Sequence, residues 1–281
     1  MNSHLLKDQT LEAQLEQDGV VRIPFLTQEE LAEVQAFYKG LHGGGNPPAL
    51  YDGIHMTIWS PDLSYKLKIK ENLERILATA CERNFKNYRA VNQQFIVKLK
   101  GEETTFPVHQ DWSIVDESKY TSFNIWVPLQ DVNENNGAMW ILKKSHNINR
   151  PVRGAGYLFP NYNPILEELK KRSTVFSMKA GEALIFFLNT IHGSPANQSE
   201  NERVVIQSAI LPDEASFQIY HQPEPGLALE VHHPKDDFTY HYERLREDSM
   251  VKAPTDNGFE LLESYVNNPV TLEEVLEAIS H

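Results

Sequence analysis

The sequence predicts a mainly β protein with flanking helices, built as a sandwich or barrel around one core. Three observations predict it. Short β-branched and aromatic runs recur between Gly and Pro turns, helical spacing is concentrated before residue 88, and no internal repeat is present. At 281 residues the chain can bury a large core, and all-β folds of this size are commonly single domains. We expect one domain spanning 1–281, with helical and strand support over 1–88, a β core over 89–220 and a C-terminal extension over 221–281.

Taken in order, residues 4–18 carry Leu5, Leu11 and Leu15 at helical spacing, and Asp18-Gly19 breaks to a β-branched strand, Val20 to Phe25. Thr27 followed by Glu30 is a capping-box signal for a helix to about Leu41, which the run Gly43 to Pro48 cannot continue. Tyr51 to Ser64 is irregular and aromatic. Tyr65 to Asn84 returns to helical spacing through Leu67, Ile69, Leu73, Ile76, Leu77 and Ala80. Tyr88 to Leu99 then alternates, with Val91, Gln93, Phe95, Val97 and Leu99 on one face and Asn92, Gln94, Ile96 and Lys98 on the other. The second face, amides and a lysine beside an isoleucine, reads as pocket lining.

Ser122 to Leu129 is the next strand, and Asn135-Asn136-Gly137 reads as a tight hairpin turn answered by a strand over Ala138 to Leu142. Arg150 to Asn163, loop-like and too long for a passive connector, is a lid candidate. Ile165 to Arg172 reads as a short helix. Thr174 to Met178, Ala183 to Leu188, Val204 to Leu211 and Phe217 to Tyr220 read as strands. The tail is charged from Glu230 to Met250, breaks at Pro254 to Gly258, and ends in an acidic amphipathic helix over Thr271 to Ile279. That helix could pack on the core or on a second subunit, so a homodimer through the extension is an expectation.

Lys and Arg number 26 against 39 Asp and Glu, a net charge of −13, which repels nucleic acid and anionic membrane. A single cysteine, Cys81, excludes an intrachain disulfide framework and suits a reducing compartment. The first residues lack the basic region and apolar run of a signal peptide, and the longest apolar run, Ala183 to Leu188, is too short to cross a bilayer. A soluble, cytoplasmic protein is the expectation.

The chemistry gathers on Pro107-Val108-His109-Gln110-Asp111-Trp112. Residues i and i+2 of a strand point to one side, so His109 and Asp111 can act on one object, and an imidazole with a carboxylate suits a divalent metal. Downstream, the buried strand Leu184 to Leu188 delivers Asn189-Thr190-Ile191-His192-Gly193-Ser194. Two histidines and Asp111 on one face of a metal leave the opposite positions open, which suits non-haem Fe(II). Arg203 opens the following strand, where a guanidinium fork could grip the distal carboxylate of a 2-oxo acid chelating that iron.

These residues, with Trp126-Val127-Pro128-Leu129, Asn135-Asn136-Gly137-Ala138, Ser145-His146 and Gly181-Glu182-Ala183, resemble the phytanoyl-CoA dioxygenase family of iron(II)- and 2-oxoglutarate-dependent oxygenases, over about residues 15–215. The resemblance implies a double-stranded β-helix (jelly-roll, cupin-like) core. It implies Fe(II) held by His109, Asp111 and His192, with 2-oxoglutarate held by Arg203 and helped by Ser194, Trp126, Asn124 and Gln94, and dioxygen as the oxidant. Asp111 stands where halogenating relatives carry a small residue, which favours hydroxylation or desaturation of a C–H bond, with release of succinate and CO2. Candidate substrate contacts are Ile96, Lys98, Trp112, Arg150 and Phe159. The polar face of the Tyr88–Leu99 strand tilts the substrate towards a small polar metabolite or natural-product intermediate.

Two other readings of the same residues stay open. A metal-dependent hydrolase with these three ligands leaves Arg203 without a role; a non-catalytic cupin-like protein would bind the metal or the oxo acid without turnover. His241-Tyr242-Glu243 repeats the His-x-carboxylate pattern, but in a helical stretch the two side chains would diverge. His232-His233 would diverge on a strand, and neither they nor His55 and His146 have a partner identifiable from sequence.

Overall fold

Helical, β-branched and turn-forming segments alternate into six α-helices and fourteen strands among the described residues. In chain order these are α1 (Gln9–Asp18), β1 (Val20–Pro24), α2 (Gln28–Leu41), β2 (Ile54–Met56), α3 (Leu63–Asn84), β3 (Tyr88–Lys98), β4 (Phe106–His109), β5 (Phe123–Pro128), β6 (Trp140–Ile141) and β7 (Ala155–Gly156). There follow α4 (Leu166–Arg172), β8 (Thr174–Val175), β9 (Glu182–Phe187), β10 (His192–Ser194), β11 (Arg203–Pro212), β12 (Ile219–Gln222), β13 (Leu229–His232), α5 (Phe238–His241), β14 (Phe259–Leu262) and α6 (Leu272–Ser280). The computed structural model describes residues 4–50, 52–148, 152–156, 158, 160–224, 226–241, 258–262, 265 and 269–280. No helix among them is long and apolar enough to cross a membrane.

The expected local signals operate. Thr27 accepts from the Glu30 N–H while the Glu30 carboxylate accepts from the Thr27 N–H, the reciprocal capping box that starts α2. Asp8 caps α1, and Gly19 ends it at φ 75°, a conformation glycine adopts freely.

Three sheets form. The largest has the order β1-β9-β5-β11-β3-β2, all antiparallel; a second has the order β4-β10-β6-β8; a third, β14-β13-β12-β7, is built largely from the extension. Period-two alternation decides which side chains meet. Phe95 and Val97 of β3, Phe123, Ile125 and Val127 of β5, Ile185 and Phe187 of β9, and Val204 and Ile206 of β11 face the helices and join Leu31, Val34, Ile69, Leu73 and Leu77 in the main core. Their neighbours Ile96, Trp126, Leu184, Phe186 and Val205 face the second sheet and pack on Ala138, Met139 and Ile141. The space between these two sheets opens into the candidate site.

The structure corrects three expectations. β3 does not keep one alternation. Gln207 of β11 pairs with Gln94 but Ala209 pairs with Val91, so β3 carries one extra residue, a bulge at which Asn92 takes φ 59°. Val91 therefore packs with Ile114, Leu188 and Ala209, not with Phe95 and Val97. Asn135-Asn136-Gly137 is not a hairpin turn. It lies in a 3-10 turn, Glu134–Asn136, ended by Gly137 at φ 82°, and passes the chain from β5 in the first sheet to β6 in the second. Finally, the stretch read only as charged from Glu230 opens inside a strand, β13 (Leu229–His232), where no strand was expected.

At the C-terminus α6 forms as expected and buries Val275 and Ala278 against Trp140, Leu142, Leu169 and Ile191. Its apolar stripe is thus used within the chain, and the expected dimer contact would have to lie elsewhere.

Candidate active site

β4 and β10 are antiparallel neighbours whose register sets His109 opposite His192. Their ring centroids lie 4.2 Å apart. Each ring is oriented from behind by its own turn: His109 Nδ1 lies 2.8 Å from the Pro107 carbonyl and His192 Nδ1 lies 2.9 Å from the Thr190 carbonyl. Since a carbonyl only accepts, both Nδ1 atoms carry the proton, and both Nε2 lone pairs are left to point at a common object. That object is shared with Asp111, whose Oδ1 is 3.6 Å from His109 Nε2 and whose Oδ2 is 3.6 Å from His192 Nε2.

Asp111 is itself fixed. Asn124 Nδ2 donates to its Oδ2 at 2.5 Å, and its N–H donates to the Leu188 carbonyl at 2.8 Å. Burial pushes the Asp111 carboxyl up, but His192, His109 and Asn124 outweigh burial and hold it below its ordinary value. Burial, then His109, push His192 down to about 4, so its imidazole is neutral at physiological pH. Two imidazoles turned to offer their Nε2 atoms, with a carboxylate between them, are the donor set that a divalent metal requires. The group of His109, Asp111 and His192 brings one ligand atom from each residue within 4.8 Å of the others.

Two cavities meet at this group. The smaller, about 70 Å³, runs between the sheets and is lined by Met56, Ile96, Phe106, Trp126, Ser194 and Arg203, besides the triad. Arg203 is 2% exposed, and its Nε and Nη1 are buried with no partner, a costly state for a cation unless an anion joins it. Burial lowers its pKa to about 9. The Trp126 ring lies under the guanidinium, 5.4 Å from centroid to Cζ.

Lys98 pairs with Arg203 across β3 and β11 and is fully buried. Its Nζ donates to Ser194 Oγ at 2.7 Å and to the Pro195 carbonyl at 2.6 Å. Burial, then Arg203, push Lys98 down to about 5.

The larger cavity, about 670 Å³, opens on the other side of the triad and is lined by Trp59, Asn92, Gln94, Trp112, Asn124, Tyr162 and Gln207, among others. Among the described residues that line it there is no lysine or arginine.

The sequence-derived candidates fall into these places as follows. His109, Asp111 and His192 converge, and Trp126, Ser194 and Arg203 gather in the smaller cavity. Asn124 lines both cavities, and Trp112 lines the larger. Ile96 lines the smaller cavity, away from the substrate role expected of it. Lys98 lines neither cavity and is engaged with Ser194, while Gln94 sits in the larger one, donating to Gln207 Oε1 at 2.6 Å. These placements reflect the inward parity of β3 after its bulge. Of the lid candidate, Pro160, Asn161, Tyr162 and Asn163 line the larger cavity, whereas Arg150 and Phe159 lie outside the described residues, as do Tyr242 and Glu243 of the rival histidine pair.

Asn92, on the face read as pocket lining, does line the larger cavity, whereas sequence reasoning missed Gln207, Trp59 and Thr239 there. Gln207 was available, being two strand periods beyond Arg203 on the same face. Arg153 was also missed: fully buried, it donates from Nε to the Asp111 carbonyl at 2.7 Å and grips both oxygens of Glu117.

Comparison with known proteins decides the family. A family model described as phytanoyl-CoA dioxygenase matches residues 15–205. The chain belongs to the phytanoyl-CoA dioxygenase family. That family uses Fe(II), 2-oxoglutarate and dioxygen. A phytanoyl-CoA dioxygenase of Arabidopsis thaliana is 29% identical over 117 residues, 40% of this chain and 41% of that protein, so the chain spans well under half of that relative's length. Among solved structures, the epimerase SnoN, in complex with Fe3+, alpha ketoglutarate and nogalamycin RO, aligns at TM-score 0.54 and 18% identity over 74% of this chain and 85% of its own. The carbocyclase SnoK aligns at 0.53 and 15% over 75% and 86%. HygX from Streptomyces hygroscopicus, with nickel, 2-oxoglutarate and hygromycin B, aligns at 0.52 and 13% over 74% and 88%. These likenesses establish the shared jelly-roll core with flanking helices.

Proposed function

We propose that this family member oxidises an unactivated C–H bond of a small, polar, hydrogen-bonding natural-product intermediate, hydroxylating or desaturating it while 2-oxoglutarate is converted to succinate and CO2. The observation that carries the reading is Arg203. A fully desolvated guanidinium with two unpartnered nitrogens closes a narrow cavity whose other end is the His109–Asp111–His192 group. That combination suits a short dicarboxylate anchored at one end by charge and at the other by metal.

The residues present fit the metal. His109 and His192 offer Nε2 lone pairs fixed by carbonyls behind them, and Asp111 offers a carboxylate held ionised. Bound Fe(II) would supply activation of dioxygen by the electrons of the oxo acid. The chain's own residues do the rest. Arg203, backed by Trp126, would pair with the distal carboxylate of 2-oxoglutarate, and Ser194 Oγ, positioned by Lys98, would line its path. Asn124 holds the Asp111 carboxylate in one orientation, while Phe106 and Phe186 pack against the two imidazoles and exclude water.

Substrate would enter the larger cavity. Amides from Asn92, Gln94 and Gln207 and rings from Trp59, Trp112 and Tyr162 offer hydrogen bonds and flat apolar surface, and among the described lining residues no lysine or arginine awaits a phosphate. This disfavours a coenzyme A thioester and favours a neutral or cationic polar molecule. SnoN with nogalamycin RO and HygX with hygromycin B, relatives in fold, agree in kind with such a substrate.

The test is anaerobic addition of Fe(II) and 2-oxoglutarate, which should give a weak visible charge-transfer band, followed by air, which should give succinate. Asp111→Ala should abolish both. Folded protein that yields neither band nor succinate would overturn the proposal.

A further inference from the structure

A second histidine–carboxylate cluster lies on β12 and β13, beyond the residues that the family model matches. The β12–β13 register sets His221 directly opposite Glu230, and His232 follows Glu230 by two residues, so all three share one face of the sheet. His221 Nδ1 lies 2.8 Å and His232 Nε2 lies 3.0 Å from the same oxygen, Glu230 Oε2. The rings are buried, at 2% and 6% exposure, and Phe259 of β14 lies against His232 with centroids 5.2 Å apart.

An ordinary buried polar network would use both nitrogens of each ring. Here each ring spends one nitrogen on the carboxylate, while His221 Nε2 and His232 Nδ1 are buried without a partner. One ligand atom from each of the three residues thus converges within 4.8 Å of the others. Burial pushes the Glu230 carboxyl up, but hydrogen bonds from the two histidines outweigh it and keep the carboxylate ionised.

We propose that His221, Glu230 and His232 form a second divalent-metal site that takes zinc or a similar borderline first-row ion. Two imidazole nitrogens and one carboxylate oxygen, with a fourth position for water, are a donor set typical of zinc. Metal–ligand bonds of about 2.0–2.2 Å at tetrahedral angles put ligand atoms roughly 3.3 Å apart, so each histidine–carboxylate distance, now 2.8 and 3.0 Å, needs to open by only a few tenths of an ångström. On binding, the ion would take His221 Nδ1 and His232 Nε2, and the proton each ring now shares with Glu230 would move to that ring's other nitrogen, leaving both imidazoles neutral. The ion would clamp β12 to β13, and the clamp reaches the active site through the backbone. His221 pairs with Ala155 of β7, two residues from Arg153, whose Nε holds the Asp111 carbonyl.

The site is tested in the full chain carrying His109→Ala, Asp111→Ala and His192→Ala, which removes the first cluster whatever that cluster binds. After chelation, titration with Co(II) should saturate at one equivalent with the intense visible bands of four-coordinate cobalt, and Zn(II) should displace it. Zinc should also raise the melting temperature. Adding Glu230→Gln, which keeps the side chain's shape, should abolish all three responses. Nitrogen-15 histidine spectra of the triple variant provide a readout that does not depend on further substitution: zinc should shift two imidazoles, and His232→Gln should remove one of them. The proposal is overturned if the triple variant binds no stoichiometric cobalt, if zinc moves no imidazole, or if Glu230→Gln leaves binding unchanged.

Discussion

Arg203→Met separates two effects of the same guanidinium. Without an anion the side chain is 2% exposed with Nε and Nη1 unpartnered, and its pKa falls to about 9. Against the value in water of 12.5 or above, that fall means burial costs the cation about 5 kcal/mol, as an order of magnitude. Methionine keeps much of the aliphatic packing against Trp126 and removes the cost, so the ligand-free protein should be as stable as the parent or more so, by up to a few kcal/mol. Binding of 2-oxoglutarate should move the other way. A bidentate charge-assisted pair contributes roughly 1.5–3 kcal/mol per bond, about 3–6 kcal/mol in all, so the Kd should rise by about a hundred- to ten-thousand-fold. Thermal melts with and without 2-oxoglutarate read the first effect, and anaerobic titration of the charge-transfer band reads the second. A variant that melts lower than the parent yet binds 2-oxoglutarate within threefold of it would refute the anion-anchor argument.

Lys98 is pushed down to about 5 and so is neutral in the ligand-free protein; a carboxylate at Arg203 should recharge it. Binding then takes up a proton, affinity for 2-oxoglutarate falls as pH rises from about 5 towards the usual lysine value near 10.4, and Lys98→Met removes the effect. Calorimetry in buffers of different ionisation enthalpy checks it, and a buffer-independent heat would refute it. Asn124→Ala frees the Asp111 carboxylate from its 2.5 Å donor and should weaken Fe(II) binding about 10–100-fold in a folded protein, read by metal titration. Gly193→Ala would set a methyl 2.6 Å from the Trp140 ring and 3.2 Å from the Phe106 carbonyl, so it should prise β10 from its neighbours and lower both metal affinity and melting temperature. Phe95→Ala, fully buried in the main core, should cost about 3–5 kcal/mol of stability by chemical denaturation without moving the spectrum of the iron complex.

How far the sequence could be read depends on whether local period and final pairing agree. On β5, β9 and β11 they agree. One alternation sends Ile125, Ile185 and Ile206 to the helices and Asn124, Trp126 and Arg203 inward, so the inward side chains could be named from the sequence. The Asn-Gly signal at 136–137 was locally right, since Gly137 does take φ 82°. It failed as a hairpin because strand pairing is non-local: β5 finds β9 and β11, and β6 finds β10 and β8. Likewise, no spacing rule sets His109 against His192; that follows from the β4–β10 register. His221, Glu230 and His232 escaped for the same reason, because the carboxylate and one histidine sit on a strand inside a stretch whose composition reads as solvated.

The bulge in β3 is the point at which period and function part. One extra residue at Asn92 inverts the strand's parity, leaving Gln94 and Ile96 facing inward after it and Val91 facing inward before it. Asn92 Oδ1 accepts from Thr239 Oγ1 at 2.5 Å, and the Tyr240 hydroxyl donates to Gln93, so α5 of the extension closes on the bulge. The proposed 2-oxoglutarate contacts Trp126 and Arg203 therefore lie where the alternation is unbroken, which is why they were legible. The wall of the larger cavity lies where it breaks and where the tail joins it. Exchanging Asn92, Gln94 or Thr239 should accordingly change which substrate couples to succinate release while leaving uncoupled 2-oxoglutarate consumption near the parent's rate. Equal loss of both activities would place these residues with the metal instead of the substrate.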